Sequence, residues 1–154
     1  MENPIIPKPV TIVSFASPYV GNKEYRRAFQ LAEQKGLVRH LRVTNRRDAV
    51  PLAPMMAIPQ FRLYKHVGLA LKLYELHDES CDCEFQYPRP GLLSKVQRMW
   101  VNSFFLNLVG KPKTYLKYHG CAEHSSRLDR YKIQLSNRTL EDVYQEFLNN
   151  NNHN

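Results

Sequence analysis

Apolar positions along the chain fall into short runs whose period changes from place to place. Val10 to Phe15 (VTIVSF) is almost continuously apolar and β-branched, as in a strand buried on both faces. Ala16 to Asn22 then supplies turn residues. Asn22 is placed to cap a helix, with Glu24 in the first turn. Tyr25, Ala28, Phe29 and Ala32 recur at i, i+3, i+4 and i+7, the stripe of an amphipathic helix that Lys35 and Gly36 close. Leu37 to Asn45 (LVRHLRVTN) reads as a second strand. Strand, helix of about three turns, strand is a βαβ unit; it predicts parallel pairing through a right-handed crossover and an α/β fold.

Pro51, Pro54 and Pro59 break any regular element after this unit. Phe61 to Glu75 reads as one or two strands bent at Gly68, with Leu69, Leu71 and Leu73 on one face. His77 to Pro90 is a polar separator. Leu92 to Val109 carries Val96, Met99, Trp100, Phe104 and Leu108 as the apolar side of a helix. Gly110 to Ser126 reads as a loop, and Thr139 to Leu148 as a last helix capped by Thr139. Asn149 to Asn154 reads as a disordered tail, so one domain over 1–148 is expected.

Composition narrows the function classes. The chain has 154 residues, 43% of them hydrophobic, which supports one modest core. Its net charge of +8 favours acidic partners, yet the densest basic groups, Arg26-Arg27 and Arg46-Arg47, are only pairs. Solvated surface is the plainer reading, no nucleic-acid motif accompanies the charge, and no nucleic-acid partner is expected. No signal-peptide pattern and no apolar run of ~18 residues is present, which leaves the compartment open. Cys81, Cys83 and Cys121 are an odd set, read as reduced thiols. His77, Cys81, Cys83, His119 and Cys121 are metal-ligand types, but Cys-x-Cys fits the spacing of structural zinc sites poorly, and no metal is expected. Trp100 and the Phe104-Phe105 pair beside basic residues would suit a lipid surface; a helix packed on the sheet is the plainer reading.

Three blocks carry a more specific signal. VTIVSFASPYVGNKEYRRAF, LRVTNRRDAVPLAP and YKHVGLALKL resemble, in order and spacing, segments of the class 3 (fungal lipase-like) lipases, across residues 10–74. The resemblance implies part of an α/β-hydrolase fold: a βαβ unit, an edge hairpin and C-terminal helices. It implies ester hydrolysis of acylglycerols by a serine, histidine and aspartate, with no cofactor and with a lipid ester as partner. Asp48 matches the triad aspartate, and it sits just past a predicted parallel strand, where open α/β sheets place their sites. On residues alone, an ordinary turn initiator is the plainer reading of Asp48. For the histidine, AEHSSRLDRYKIQL resembles the family's ending and selects His124, with two extra residues before Leu128; His119 in YHGC is the competitor. His66 matches a family position and reads as a structural residue near the aspartate loop.

The serine is the departure. No Gly-x-Ser-x-Gly occurs in the 154 residues. Ser14 and Ser17 match family positions other than the nucleophile. The leading expectation is the C-terminal part of a longer lipase, inactive as an isolated chain, whose strand at Val10 would present an apolar edge that invites aggregation. The alternative is a non-catalytic module whose basic surface binds anionic lipid or protein.

Overall fold

The computed structural model describes residues 7–48, 50–52, 56–57, 62–75, 83–87 and 117–151. The helix expected over 92–109 lies outside these residues, as do His77 and Cys81. Among the described residues are six strands: β1 (Val10–Phe15), β2 (Val38–Asn45), β3 (Met56–Ala57), β4 (Arg62–Leu63), β5 (Leu69–Leu73) and β6 (Glu84–Gln86). Three helices accompany them: α1 (Lys23–Gln34), α2 (Cys121–Ser136) and α3 (Leu140–Asn151). The main sheet has the order β1-β2-β5-β6. β1, β2 and β5 run parallel, and β6 closes one edge antiparallel to β5. β3 and β4 form a separate two-stranded ribbon. The result is an α/β arrangement on a mixed sheet.

The βαβ unit forms where the pattern places it. Asn22 caps α1 by accepting from the Tyr25 backbone N–H at 2.9 Å. Past the helix, Gly36 takes φ +66°, a left-handed turn that suits a residue without Cβ. The face of α1 differs from the expected stripe. Tyr25 and Ala28 are exposed, and the one fully buried residue is Glu33. The reason is a hydrogen-bond network: Tyr144 and Tyr87 both donate hydroxyls to the Glu33 carboxylate, each at 2.7 Å. Apolar periodicity is blind to a buried acid that finds its donors on distant elements.

The bend at Gly68 separates two strands that belong to different sheets. Gly68 has φ +76°, and a Cβ there would lie 2.5 Å from the His40 carbonyl oxygen. The edge hairpin is therefore β5 with β6, and β6 falls in the stretch read as a polar separator. Alternation along β5 is as expected, with Leu69, Leu71 and Leu73 all buried. Together with Leu41, Val43 and Phe85 they form one apolar face. Tyr131, Leu128 and Leu135 of α2 cover one part of it, and Leu140, Val143, Tyr144 and Phe147 of α3 the other.

The sequence reading contains no helix over 121–136, and its last helix ends short of the observed one. Residues 121–126, read as loop, are the first turns of α2, and α3 continues through Asn151 instead of giving way to disorder at Asn149. α2 begins on Gly120, which makes no side-chain cap hydrogen bond, so its start carries no capping signal. α3 does start on a capping box: Thr139 Oγ1 accepts from the Asp142 N–H, and Asp142 accepts from the Thr139 N–H at 2.9 Å.

β1 lies at the other edge of the main sheet. Val10, Ile12, Val13 and Phe15 are all exposed, although their sequence is that of an interior strand. The opposite holds for β2, where Arg39, His40, Arg42, Thr44 and Asn45 are buried.

Two expected outcomes follow. Tyr144 donates to Glu33, and its hydroxyl oxygen accepts from the His40 N–H at 2.9 Å and the Leu69 N–H at 3.4 Å. Tyr144→Phe strips these partners from buried groups, so urea unfolding should show a loss of about 2–3 kcal/mol. The second concerns acid. Burial pushes the imidazoles of His40 and His66 down to about 4 and about 3, with the Arg42 charge adding to the effect. Both stay neutral in the fold but take up protons near pH 6.5 when unfolded. Stability should therefore be full above about pH 6.5 and fall as pH drops towards 4, by up to ~2–3 kcal/mol per pH unit for two protons. Urea midpoints measured across that range check it; a flat profile there would contradict the burial of both rings.

Candidate active site

The site gathers at the C-terminal ends of β1, β2 and β5. After β2 the chain turns through Arg47, at φ +70°, and delivers Asp48. This carboxylate is buried, with 0% side-chain exposure. One oxygen, Oδ1, accepts the Val50 N–H at 2.9 Å, and the Asp48 N–H itself bonds Asn45 O at 3.2 Å. The aspartate is thus fixed by its own loop from both sides. A short 3-10 turn, Lys117–His119, lies against it.

His119 places Nδ1 3.2 Å from Asp48 Oδ2. An ionised carboxylate only accepts hydrogen bonds, so this contact puts the proton on Nδ1 and leaves Nε2 of a neutral ring as an acceptor. The imidazole is 42% exposed at the mouth of the site, while its carboxylate partner is closed off from solvent. In a serine hydrolase, such a pair gives the aspartate its orienting role and the histidine its role as general base.

His124, the histidine selected by resemblance, is not joined to Asp48. It is buried in the first turn of α2, with its Nδ1 3.2 Å from Gly120 O and its Nε2 without a hydrogen-bond partner. Its ring meets Phe15 of β1 edge-on, with centroids 5.8 Å apart. The structure therefore brings Asp48 together with the competing histidine. His124 lies within α2 and faces β1, whereas His119 lies in the turn just ahead of the helix.

His66 takes the structural place expected of it. It hydrogen-bonds the backbone of Pro51 and stacks on Tyr19, with centroids 3.9 Å apart. A contact that the sequence did not reveal joins Ser14 to His40: Ser14 Oγ lies 2.8 Å from His40 Nε2. This is not a second triad, because His40 Nδ1 has no hydrogen-bond partner to orient the ring. Arg42, beside it, is buried with its Nε–H donated to Val67 O at 2.8 Å, and burial pushes its guanidinium down to about 10. Among the described residues, no group of three or more His, Cys, Asp or Glu could hold a metal ion. Cys121 is exposed at the start of α2.

Residues 1–58 match the family model described as Lipase (class 3). The match spans β1, α1, β2 and Asp48; it stops before His66, His119 and His124. Among curated proteins and among solved structures, none matches the chain. Over residues 1–58, which hold β1, α1, β2 and Asp48, the chain is similar to the class 3 lipases.

Proposed function

We propose that the chain supplies the aspartate and histidine of a serine ester hydrolase of the α/β-hydrolase fold, with Asp48 and His119 in those roles. The Nδ1–Oδ2 contact at 3.2 Å carries this reading. The substrate class is a lipid ester, with acylglycerols as the family's chemistry. Residues 1–148 form one partial domain in this account. In it Asp48 holds the His119 ring and stabilises the imidazolium formed when Nε2 takes a proton from the attacking serine. The same proton is then passed to the leaving alcohol.

The serine must come from a segment outside these 154 residues, since no Gly-x-Ser-x-Gly is present. The exposed apolar β1 supports such an arrangement. Val13 and Phe15 lie in register with Leu41 and Val43 of the buried β2, as strand residues do when a further neighbour is meant to cover them. A parallel strand added there would end beside the C-terminal end of β1, the end of the sheet at which the Asp48 loop leaves β2. The 154-residue chain alone lacks the nucleophile, and triad members act as a unit.

The test is hydrolysis of short- and long-chain acylglycerols by a chain in which a class 3 Gly-x-Ser-x-Gly segment is joined ahead of Val10. His119→Ala and Asp48→Ala should each lower kcat by at least ~10³-fold. The unextended chain should show no turnover. Full activity of His119→Ala together with loss in a His124 variant that keeps the Gly120 bond would return the role to His124.

A further inference from the structure

His119 sits between two carbonyls, each reached by a buried side chain, and the second, Gly120 O, also accepts the backbone N–H groups of Glu123 and His124 at the start of α2. Asn45 Nδ2 donates to Tyr118 O at 2.8 Å, across 73 positions of sequence. The His124 ring meets Gly120 O at 3.2 Å through Nδ1, which must be the protonated nitrogen because a carbonyl only accepts. Both residues are more than nine-tenths buried. Arg127 lies over the Tyr118 ring, 5.3 Å from its centroid. The same Arg127 donates to Leu73 O at 3.2 Å and pairs with Glu123 at 2.6 Å. The 3-10 turn is therefore tied to the end of β2 on one side and to the first turn of α2 on the other.

We propose that Asn45 and His124 are positioning residues that clamp the backbone on either side of His119, so that its Nδ1 stays on Asp48 and its Nε2 stays free. The inference rests on the reading of Asp48 and His119 as an acid–base pair. An imidazole 42% exposed has water competing for both nitrogens. A single hydrogen bond of 3.2 Å holds such a ring weakly. Fixing the two flanking carbonyls removes the backbone freedom through which the ring would swing away. Asn45 has a second connection to the same loop, since its carbonyl accepts the Asp48 N–H. One residue thereby sets both partners: its backbone places the carboxylate and its amide places the histidine turn. His124 then has a defined task without touching the reacting atoms, and Phe15 packs its ring in place.

The experiment reads the tautomer of His119 from ring-nitrogen chemical shifts in the full 15N-labelled chain, at about pH 8, where an ordinary imidazole is neutral. The unmodified chain should show His119 with its proton on Nδ1. Asn45→Ala should shift it towards the Nε2–H form that a free imidazole in water favours. His124→Phe keeps a ring against Phe15 but has no donor, and should do the same. His124→Asn keeps a donor near the position of Nδ1 and should retain the original tautomer. If Asn45→Ala does not fold, the two His124 variants decide the matter. An unchanged tautomer in His124→Phe, or an equal loss in His124→Phe and His124→Asn, overturns the clamp. Should the unmodified chain already hold His119 as the Nε2–H form, the pairing with Asp48 fails, which is a separate result from failure of the clamp.

Discussion

The buried polar side chains of β2 are the constraint on which the rest of the structure depends. A strand between two parallel neighbours is normally apolar on both faces. β2 instead buries Arg39, His40, Arg42, Thr44 and Asn45. Each must find a partner or cost the fold the desolvation of an unsatisfied group. The partners lie on several elements. Arg39 grips Glu141 of α3 with two bonds, at 2.7 and 2.9 Å. The His40 ring meets Ser14 Oγ of β1 and its backbone N–H the Tyr144 hydroxyl, Arg42 donates to Val67 O ahead of β5, and Asn45 reaches the turn that bears His119. One strand thus specifies where α3, two neighbouring strands and the site turn dock.

The electrostatics follow from this burial. The bidentate contact with Arg39 holds the Glu141 carboxyl down at about 2, and the same contact raises the Arg39 guanidinium. Glu33 has the opposite balance: burial raises its carboxyl, and the hydroxyls of Tyr144 and Tyr87 pull it only part of the way back. Stability therefore depends on a few specific polar contacts as much as on the two apolar clusters above β5. Such contacts favour this arrangement, since a shifted helix would take the partners away from buried groups.

How much of this was legible in the sequence depends on the range of the interaction that fixes each part. β1, α1, β2 and β5 are written in local periodicity, in the Asn22 cap and in the glycines at 36 and 68. The position of Asp48 just past a strand end was legible because it is itself local. The inward face of α1 was not, because Glu33 is buried by Tyr87 and Tyr144, 54 and 111 positions away. The start of α2 and the choice of histidine were not legible either. Gly120 offers no side-chain cap, so nothing local marks that point or places His119 beside Asp48. The strap from Asn45 to Tyr118 has no local signature at all.

The central claim is that Asp48 holds His119. The most direct measurement is the imidazole N–H proton of His119, assigned by NMR in the full chain and compared with Asp48→Ala. The account predicts a protected Nδ1–H resonance that disappears when the carboxylate is removed, while the Nδ1–H of His124 on Gly120 persists. A His119 resonance that survives in Asp48→Ala, or one never protected from solvent, would contradict it.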